Sequence, residues 1–234
     1  MLILIIGSAP DALDSQIFKR ELIESIVAIN NAWKIRNDWD YCIFPDDFPE
    51  NRWPTKKKKQ RLIRSEQYVR LQNKYGGFVY SGGTMAFTAG YWALGYFKPK
   101  AIAYIGCDMI YDGKDTHFYG KGTPDPLRED PTLKNLKAKS ARLEAIAASQ
   151  KCSVFNLSKR ESSNLVFRRS CLENIINDDT PRRVNKNLLE HAFQQEEKLG
   201  YFVEDGKYWK HLVKFDQEKI DFLDELWSRV IELD

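Results

Sequence analysis

The run from Leu2 to Ile6 carries no polar side chain and leads directly into Gly7-Ser8-Ala9-Pro10. An aliphatic run without polar alternation has no face to give to solvent. It predicts a strand buried on both sides, as in a parallel sheet covered by helices. The Gly-Ser-Ala-Pro turn ends that strand, and Asp11 and Asp14 are placed to cap and open a helix or turn.

The same punctuation recurs along the chain. Ser25 to Asn30 stops at Asn30-Asn31, Tyr41 to Phe44 stops at Pro45-Asp46-Asp47, and Ala101 to Ile105 closes on Gly106-Cys107-Asp108. A last apolar run, Ser153 to Leu157, ends at Ser158. Between them, Thr55 to Tyr75 spaces Leu62, Ile63, Tyr68, Val69 and Leu71 as one helical face, with Lys56 to Lys59 as solvated surface. Phe78 to Tyr80 reads as a short strand, and Ser81-Gly82-Gly83-Thr84 feeds a small-residue helix, Met85 to Gly95, which Gly95 stops. Met109 to Asp130, rich in Gly, Pro and Asp, reads as a long loop, and Pro131 to Gln150 carries Leu133, Leu136, Leu143 and Ile146 at helical spacing.

Strands alternating with helices predict an α/β protein with a Rossmann-like, mostly parallel sheet and right-handed crossovers. After Ser158 the pattern changes. Lys186 to Gly200 and Gln217 to Leu233 read as helices, joined by Tyr201 to Phe215 with a hairpin at Asp205-Gly206. The expected organisation is a nucleotide-binding α/β domain over 1–170 and a C-terminal helical subdomain or lid over 171–234.

Composition narrows the class. A chain of 234 residues buries one main core, and 43% hydrophobic with 29% charged residues is an ordinary globular balance. The formal net charge of +3 is too small to argue for nucleic acid. Met1 to Ile6 is far shorter than the roughly 20 residues of a membrane span and has no basic leader, which reads as a cytoplasmic protein without a membrane span. Cys42, Cys107, Cys152 and Cys171 form no CxxC pair, and the first three lie in apolar runs where a thiol packs as a small hydrophobe.

In open α/β sheets, ligands collect beyond the carboxyl ends of the strands. Here those ends offer Gly7, Ser8, Ala9, Pro10, Asn30, Asn31, Asp46, Asp47, Ser81, Gly82, Gly83, Thr84, Asp108, Asn156 and Ser158. Glycine permits close backbone approach to an anion, and N–H groups at a following helix start attract phosphate, so Gly7 to Pro10 and Ser81 to Thr84 are the natural cradles. Neither GxGxxG nor GxxxxGK[ST] is present, which argues against a dinucleotide dehydrogenase and a P-loop NTPase.

Four segments, IIGSAPDAL, VAINNAW, SGGTMAFTAGYWALGYFKPKAIAYIGCDMIY and AKSARLEAIAASQKCSVFNLS, together resemble the bacterial sialyltransferases of glycosyltransferase family 42 and their sialyltransferase-like relatives. The likeness covers about residues 1–170. It implies a GT-A-like fold, a cytidine monophosphate sugar as donor substrate, inverting transfer without an obligatory metal or other cofactor, and a C-terminal lid. Position by position, Ser8 falls where the family has a donor-contacting asparagine, Asn30 matches a nucleotide-contacting asparagine, and Gly82-Gly83 align near a donor-contacting Thr-Ser pair. Asp108 matches the aspartate of a G-x-D segment, and Tyr111 lies close to a tyrosine that helps the leaving phosphate. The family's catalytic histidine falls near Lys134, and the histidine this region offers is His117. Either His117 has taken the base role from an earlier loop position, or the chemistry differs.

An imidazole near pKa 6.5 suits removal of a proton from an acceptor hydroxyl, and Tyr111 and Tyr119 suit donation to a leaving phosphate. The plainer reading makes His117 a loop residue beside Asp115, while His191 and His211 fall in the helical tail. Asp46-Asp47 and Asp112 with Asp115 form no DxD metal motif. Two other classes compete. A pterin diphosphokinase-like enzyme would hold Mg²⁺ at Asp46, Asp47 or Asp108. A non-catalytic module would bind a nucleotide, or nucleic acid through a basic helix over Lys56 to Arg70, and ranks last. The acceptor hydroxyl is unassigned, and a homo-oligomer is expected by analogy alone.

Overall fold

The aliphatic run at Leu2–Ile6 forms the central strand β1, all five residues buried. A computed structural model describes residues 1–111, 116–120, 122 and 129–232. The other strands are β2 (Ser25–Ile29), β3 (Tyr41–Ile43), β4 (Arg61–Ile63), β5 (Ala101–Ile105), β6 (Ser153–Asn156) and β7 (Arg168–Arg169). They form one seven-stranded sheet in the order β4-β3-β2-β1-β5-β6-β7, and every neighbouring pair is parallel. The protein is therefore α/β, with a Rossmann-like parallel sheet flanked by helices.

Strand periodicity explains why the runs needed no polar alternation. Ile3, Ile5, Val27, Ile29, Ile102 and Tyr104 face one apolar layer, and Leu4, Ile6, Ile26, Ala28, Ala103 and Ile105 face the other. The helices are α1 (Ser65–Asn73), α2 (Phe78–Ser81), α3 (Met85–Phe97), α4 (Leu136–Ser149), α5 (Leu172–Asn177), α6 (Lys186–Leu199) and α7 (Gln217–Trp227). The first layer packs α3 through Phe87 and Trp92, and the second is closed by Ala12, Ile23, Phe44 and Leu172. None of the described helices is long and apolar enough to cross a membrane.

Several local expectations are corrected. Thr55 to Tyr75 is not one helix: Arg61–Ile63 joins the sheet edge as β4, the helix begins at Ser65, and Lys56 to Lys59 lie in exposed coil. Pairing of Leu62 with Cys42 outweighs the helical spacing. Phe78–Ser81 is a helical turn rather than a strand. Gly95 lies inside α3, where Leu71 and Tyr75 would meet an added Cβ at 3.3 Å. The helix ends instead at Lys98, in the left-handed region at φ 49°. Tyr201 to Phe215 forms no hairpin; it contains the 3-10 turns Tyr208–Lys210 and Leu212–Lys214. Its aromatics anchor it to α2, Tyr208 on Phe78 and Tyr201 on Tyr80. The last helix stops at Trp227 rather than running on to 233.

The C-terminal helices are tied to α4 by buried charges. Lys139 Nζ meets Asp224 Oδ1 at 2.6 Å, with both side chains 1% exposed. Arg142 binds both oxygens of Glu196 at 2.6 and 2.7 Å and donates to the Tyr91 hydroxyl at 2.8 Å. Trp227 Nε1 donates to the same Glu196 carboxylate at 2.8 Å. Burial alone would favour the neutral forms; for Arg142 the adjacent Glu196 carboxylate more than offsets that, and its pKa rises. Asp224 is pushed up by burial despite Lys139. These pairs explain how α4 is buried nearly all round although its sequence contains Lys139 and Arg142.

Candidate functional site

The strand order reverses at β1, which has β2 on one side and β5 on the other. A crevice opens beyond the carboxyl ends of strands at such a point, and a cavity of about 870 Å³ occupies it. Gly7, Ser8 and Ala9 line it from β1, Gly106 and Cys107 from β5, and Asn30 with Asn31 from β2. Thr84, Met85 and Ala86, the start of α3, form another wall. The 13-residue α3 thus presents its N-terminal end, the positive end of the helix dipole, to the cavity.

Two non-glycine residues of the lining are held in the left-handed backbone region, Asn30 at φ 51° and Met109 at φ 55°. Such conformations persist only where the surroundings enforce them and concentrate at functional sites. Asn31 is 4% exposed, and its Oδ1 has no hydrogen-bond partner among the described residues. Unpaired buried amides carry a cost, which a bound donor would relieve.

His117 reaches this cavity from the loop, which is pinned to the first turn: Phe118 N donates to the Ser8 carbonyl at 2.9 Å. The backbones of His117 and Gly120 exchange hydrogen bonds at 3.0 and 2.9 Å. The His117 ring stacks on Tyr119 with centroids 4.9 Å apart, and on Tyr111 at 6.2 Å. Its Nδ1 lies 2.8 Å from Thr116 Oγ1, which also accepts from Gly122 N at 3.3 Å. In the tautomer whose Nδ1 proton Thr116 accepts, Nε2 carries the free lone pair. Burial lowers the His117 pKa from 6.5, which keeps the ring neutral at neutral pH. Asp115, expected beside it, and Asp112 lie outside the described residues.

The remaining expected site residues are engaged by the fold itself. Pro10 is the first residue of the 3-10 helix Pro10–Ile17, where its fixed φ sets the turn. Ser81 is buried; its hydroxyl donates to the Gly77 carbonyl at 2.9 Å and accepts from Gln72 Nε2. Gly82, at φ 83°, packs on Lys139 and Phe87, and Gly83 N donates to Thr132 Oγ1 at 3.2 Å. Asp108 is fully buried and accepts from Asn156 Nδ2 at 2.9 Å, while Asn156 Oδ1 accepts from Ser158 N at 3.0 Å. This network braces the segments after β5 and β6 behind the cavity wall. Asp11 borders it, its carboxyl pushed up by burial. Thr84 lines the cavity, yet its hydroxyl accepts from Phe87 N at 3.3 Å and caps α3.

Sequence reasoning overlooked the cavity's cations. Lys34 ends the turn Asn30–Lys34 and Arg52 ends the turn Glu50–Arg52, and both line the cavity. Each lies in the turn segment that follows a strand, Lys34 after β2 and Arg52 after β3, which was the available signal. Of the three aspartates suited to a diphosphokinase metal, Asp47 alone lines this cavity; Asp46 accepts from the Ser65 hydroxyl at 2.6 Å, and Asp108 is internal. Among the described residues no three His, Cys, Asp or Glu side chains gather as a metal-binding group. Cys42, Cys107 and Cys152 are free and buried, with burial raising each thiol pKa.

No family model, no curated protein and no solved structure matches the chain.

Proposed function

We propose that this protein is a glycosyltransferase of sialyltransferase-like, GT-A-like type, moving a sugar from a cytidine monophosphate donor to a hydroxyl acceptor with inversion and without an obligatory metal. The observation that carries the reading is convergence: a histidine flanked by two tyrosines opens on the same cavity as the α3 N-terminus and the β1 turn.

In this reading the α3 N-terminus, Lys34 and Arg52 receive the donor phosphate, and Asn30 and Asn31 hold the nucleotide by their amides. His117 Nε2 takes the acceptor proton as the acceptor oxygen attacks the anomeric carbon. The anomeric carbon–oxygen bond breaks, and its electron pair leaves on the phosphate, where the Tyr111 and Tyr119 hydroxyls donate to the growing charge.

A thermal-shift comparison of cytidine monophosphate, a cytidine monophosphate sugar and ATP with Mg²⁺ tests this, because a ligand bound to the folded form alone raises Tm. Cytidine compounds are expected to raise it. A shift confined to ATP with Mg²⁺ would sink the proposal and favour the diphosphokinase class.

A further inference from the structure

A second cavity, of about 1130 Å³, lies between α1 and the segment around residues 204–212. It adjoins the first, and Pro45, Asp47, Thr84 and Met85 line both. The two differ in sign. The first sets Lys34, Arg52 and a helix N-terminus against Asp47, whereas the second is lined by Asp47, Glu66, Glu129 and Glu204. None of these four carboxylates forms a side-chain hydrogen bond or ion pair among the described residues. The cations in its lining, Arg70 and Lys207, are outnumbered.

The opposite wall is aromatic. Phe78 and Tyr208 stack with centroids 6.2 Å apart at 15°, and Tyr208 meets Trp209 edge-on at 5.6 Å. Trp209 is 56% exposed and lines the cavity, so its ring face is open to a ligand there. A flat ring face matches the C–H face of a sugar, and ring faces with carboxylates together attract ammonium groups.

We propose that this second cavity is the acceptor site and takes an amine-bearing, cationic saccharide, stacked on Trp209 with its ammonium among Glu66, Glu129 and Glu204. As an acceptor assignment this rests on the transferase reading above. The amine preference rests on the cavity's own charge and stands apart from it. Opposite signs keep the two substrates in order: the anionic donor is repelled from the acidic cavity, and the cationic acceptor from the basic one.

The test titrates the full chain with D-glucosamine, D-glucose and D-glucuronate, reading the fluorescence that is lost in Trp209→Phe. Glu66, Glu204 and Trp209 are exposed, so their variants fold. Glucosamine is expected to bind up to about fivefold tighter than glucose, the upper end for one exposed ion pair, with glucuronate weakest. The double variant Glu66→Gln/Glu204→Gln should abolish that preference while leaving glucose affinity unchanged, and Trp209→Ala should weaken both sugars. Equal binding of the three sugars, no binding, or a preference that survives the double variant would overturn the proposal. Cytidine monophosphate added to the same samples reads the first cavity separately. Amine preference without nucleotide binding would reject the transferase, and with it the acceptor role, while leaving a cationic-sugar site. Nucleotide binding without amine preference would reject this proposal alone.

Discussion

A Cβ built on Gly7 would lie 2.2 Å from the carbonyl oxygen of Gly106 and 2.5 Å from Cys107 Sγ. The glycine at the end of β1 is thus required by the protein's own backbone. Gly7 N donates to the Ile105 carbonyl at 2.8 Å and Ala9 N to the Gly106 carbonyl at 3.0 Å, so the two strand ends are laced together where the cavity opens. Gly106 itself, at φ 69°, abuts Ala12. The lacing makes the floor of the site a rigid part of the sheet.

Gly7→Ala must therefore push β1 and β5 apart. Overpacking of this kind costs roughly 1–3 kcal/mol, and each kcal/mol lowers Tm by about 2–4 °C in a chain of this size. Thermal unfolding should show that drop, and any nucleotide-dependent rise in Tm should shrink with it. An unchanged Tm would mean that the strand ends are not laced as described.

Asn30→Gly separates strain from binding. Glycine adopts φ 51° without a steric penalty, so stability should hold or rise, offset in part by the greater freedom of the unfolded chain. Losing the amide should weaken cytidine monophosphate binding, measured by calorimetry, by roughly three- to tenfold, the range of one hydrogen bond. A parallel fall in stability and affinity would place Asn30 in the scaffold instead.

His117 gives a pH signature. Its pKa falls on folding, so the folded protein binds fewer protons than the unfolded chain, and this group's contribution to stability rises with pH. The cost appears as pH drops through the ordinary value of 6.5 and is complete below the lowered one. His117→Gln should flatten that part of the stability profile. It should also abolish transfer with donor affinity nearly intact, as expected when transition-state help alone is removed. Turnover unaffected by the substitution would take His117 out of the mechanism.

The C-terminal tether is testable through Glu196. Glu196→Leu leaves Arg142 buried without its carboxylate, a loss of about 3–5 kcal/mol. The double variant Arg142→Met/Glu196→Leu should recover much of it, because the stranded charge is gone. Denaturant melts of the three proteins close a double-mutant cycle. A strictly additive outcome would show that the pair is not coupled.

Lys34→Ala and Arg52→Ala, both at exposed positions, should each weaken nucleotide binding by no more than about fivefold, and less at high salt. Affinity measured at two ionic strengths checks both statements.

Sequence alone determined the sheet's interior. Leu2–Ile6, Ser25–Ile29, Ala101–Ile105 and Ser153–Asn156 are strands where the aliphatic runs put them, because a run with no polar face has few other places to go. It also placed Gly7, Ser8, Ala9, Asn30, Asn31, Thr84, Tyr111, His117 and Tyr119 at strand ends or loops, and these do meet in one cavity. Elsewhere local pattern misled. Arg61–Ile63 reads as helix by spacing but pairs with β3, and Phe78–Ser81 reads as strand but turns. Ser81, Asp108, Asn156 and Ser158 sit at suitable strand ends, yet partners brought in by folding draw them inward. Only the tertiary structure decided which strand ends face each other, since strand order is a property of crossovers tens of residues long. It alone also decided that Arg142 could be buried, because Glu196 lies 54 residues away in sequence and 2.6 Å away in space. The opposite charges of the two adjoining cavities have the same origin: Lys34 and Arg52 are gathered on one side, and Glu66 and Glu204 on the other, by packing that no local pattern records.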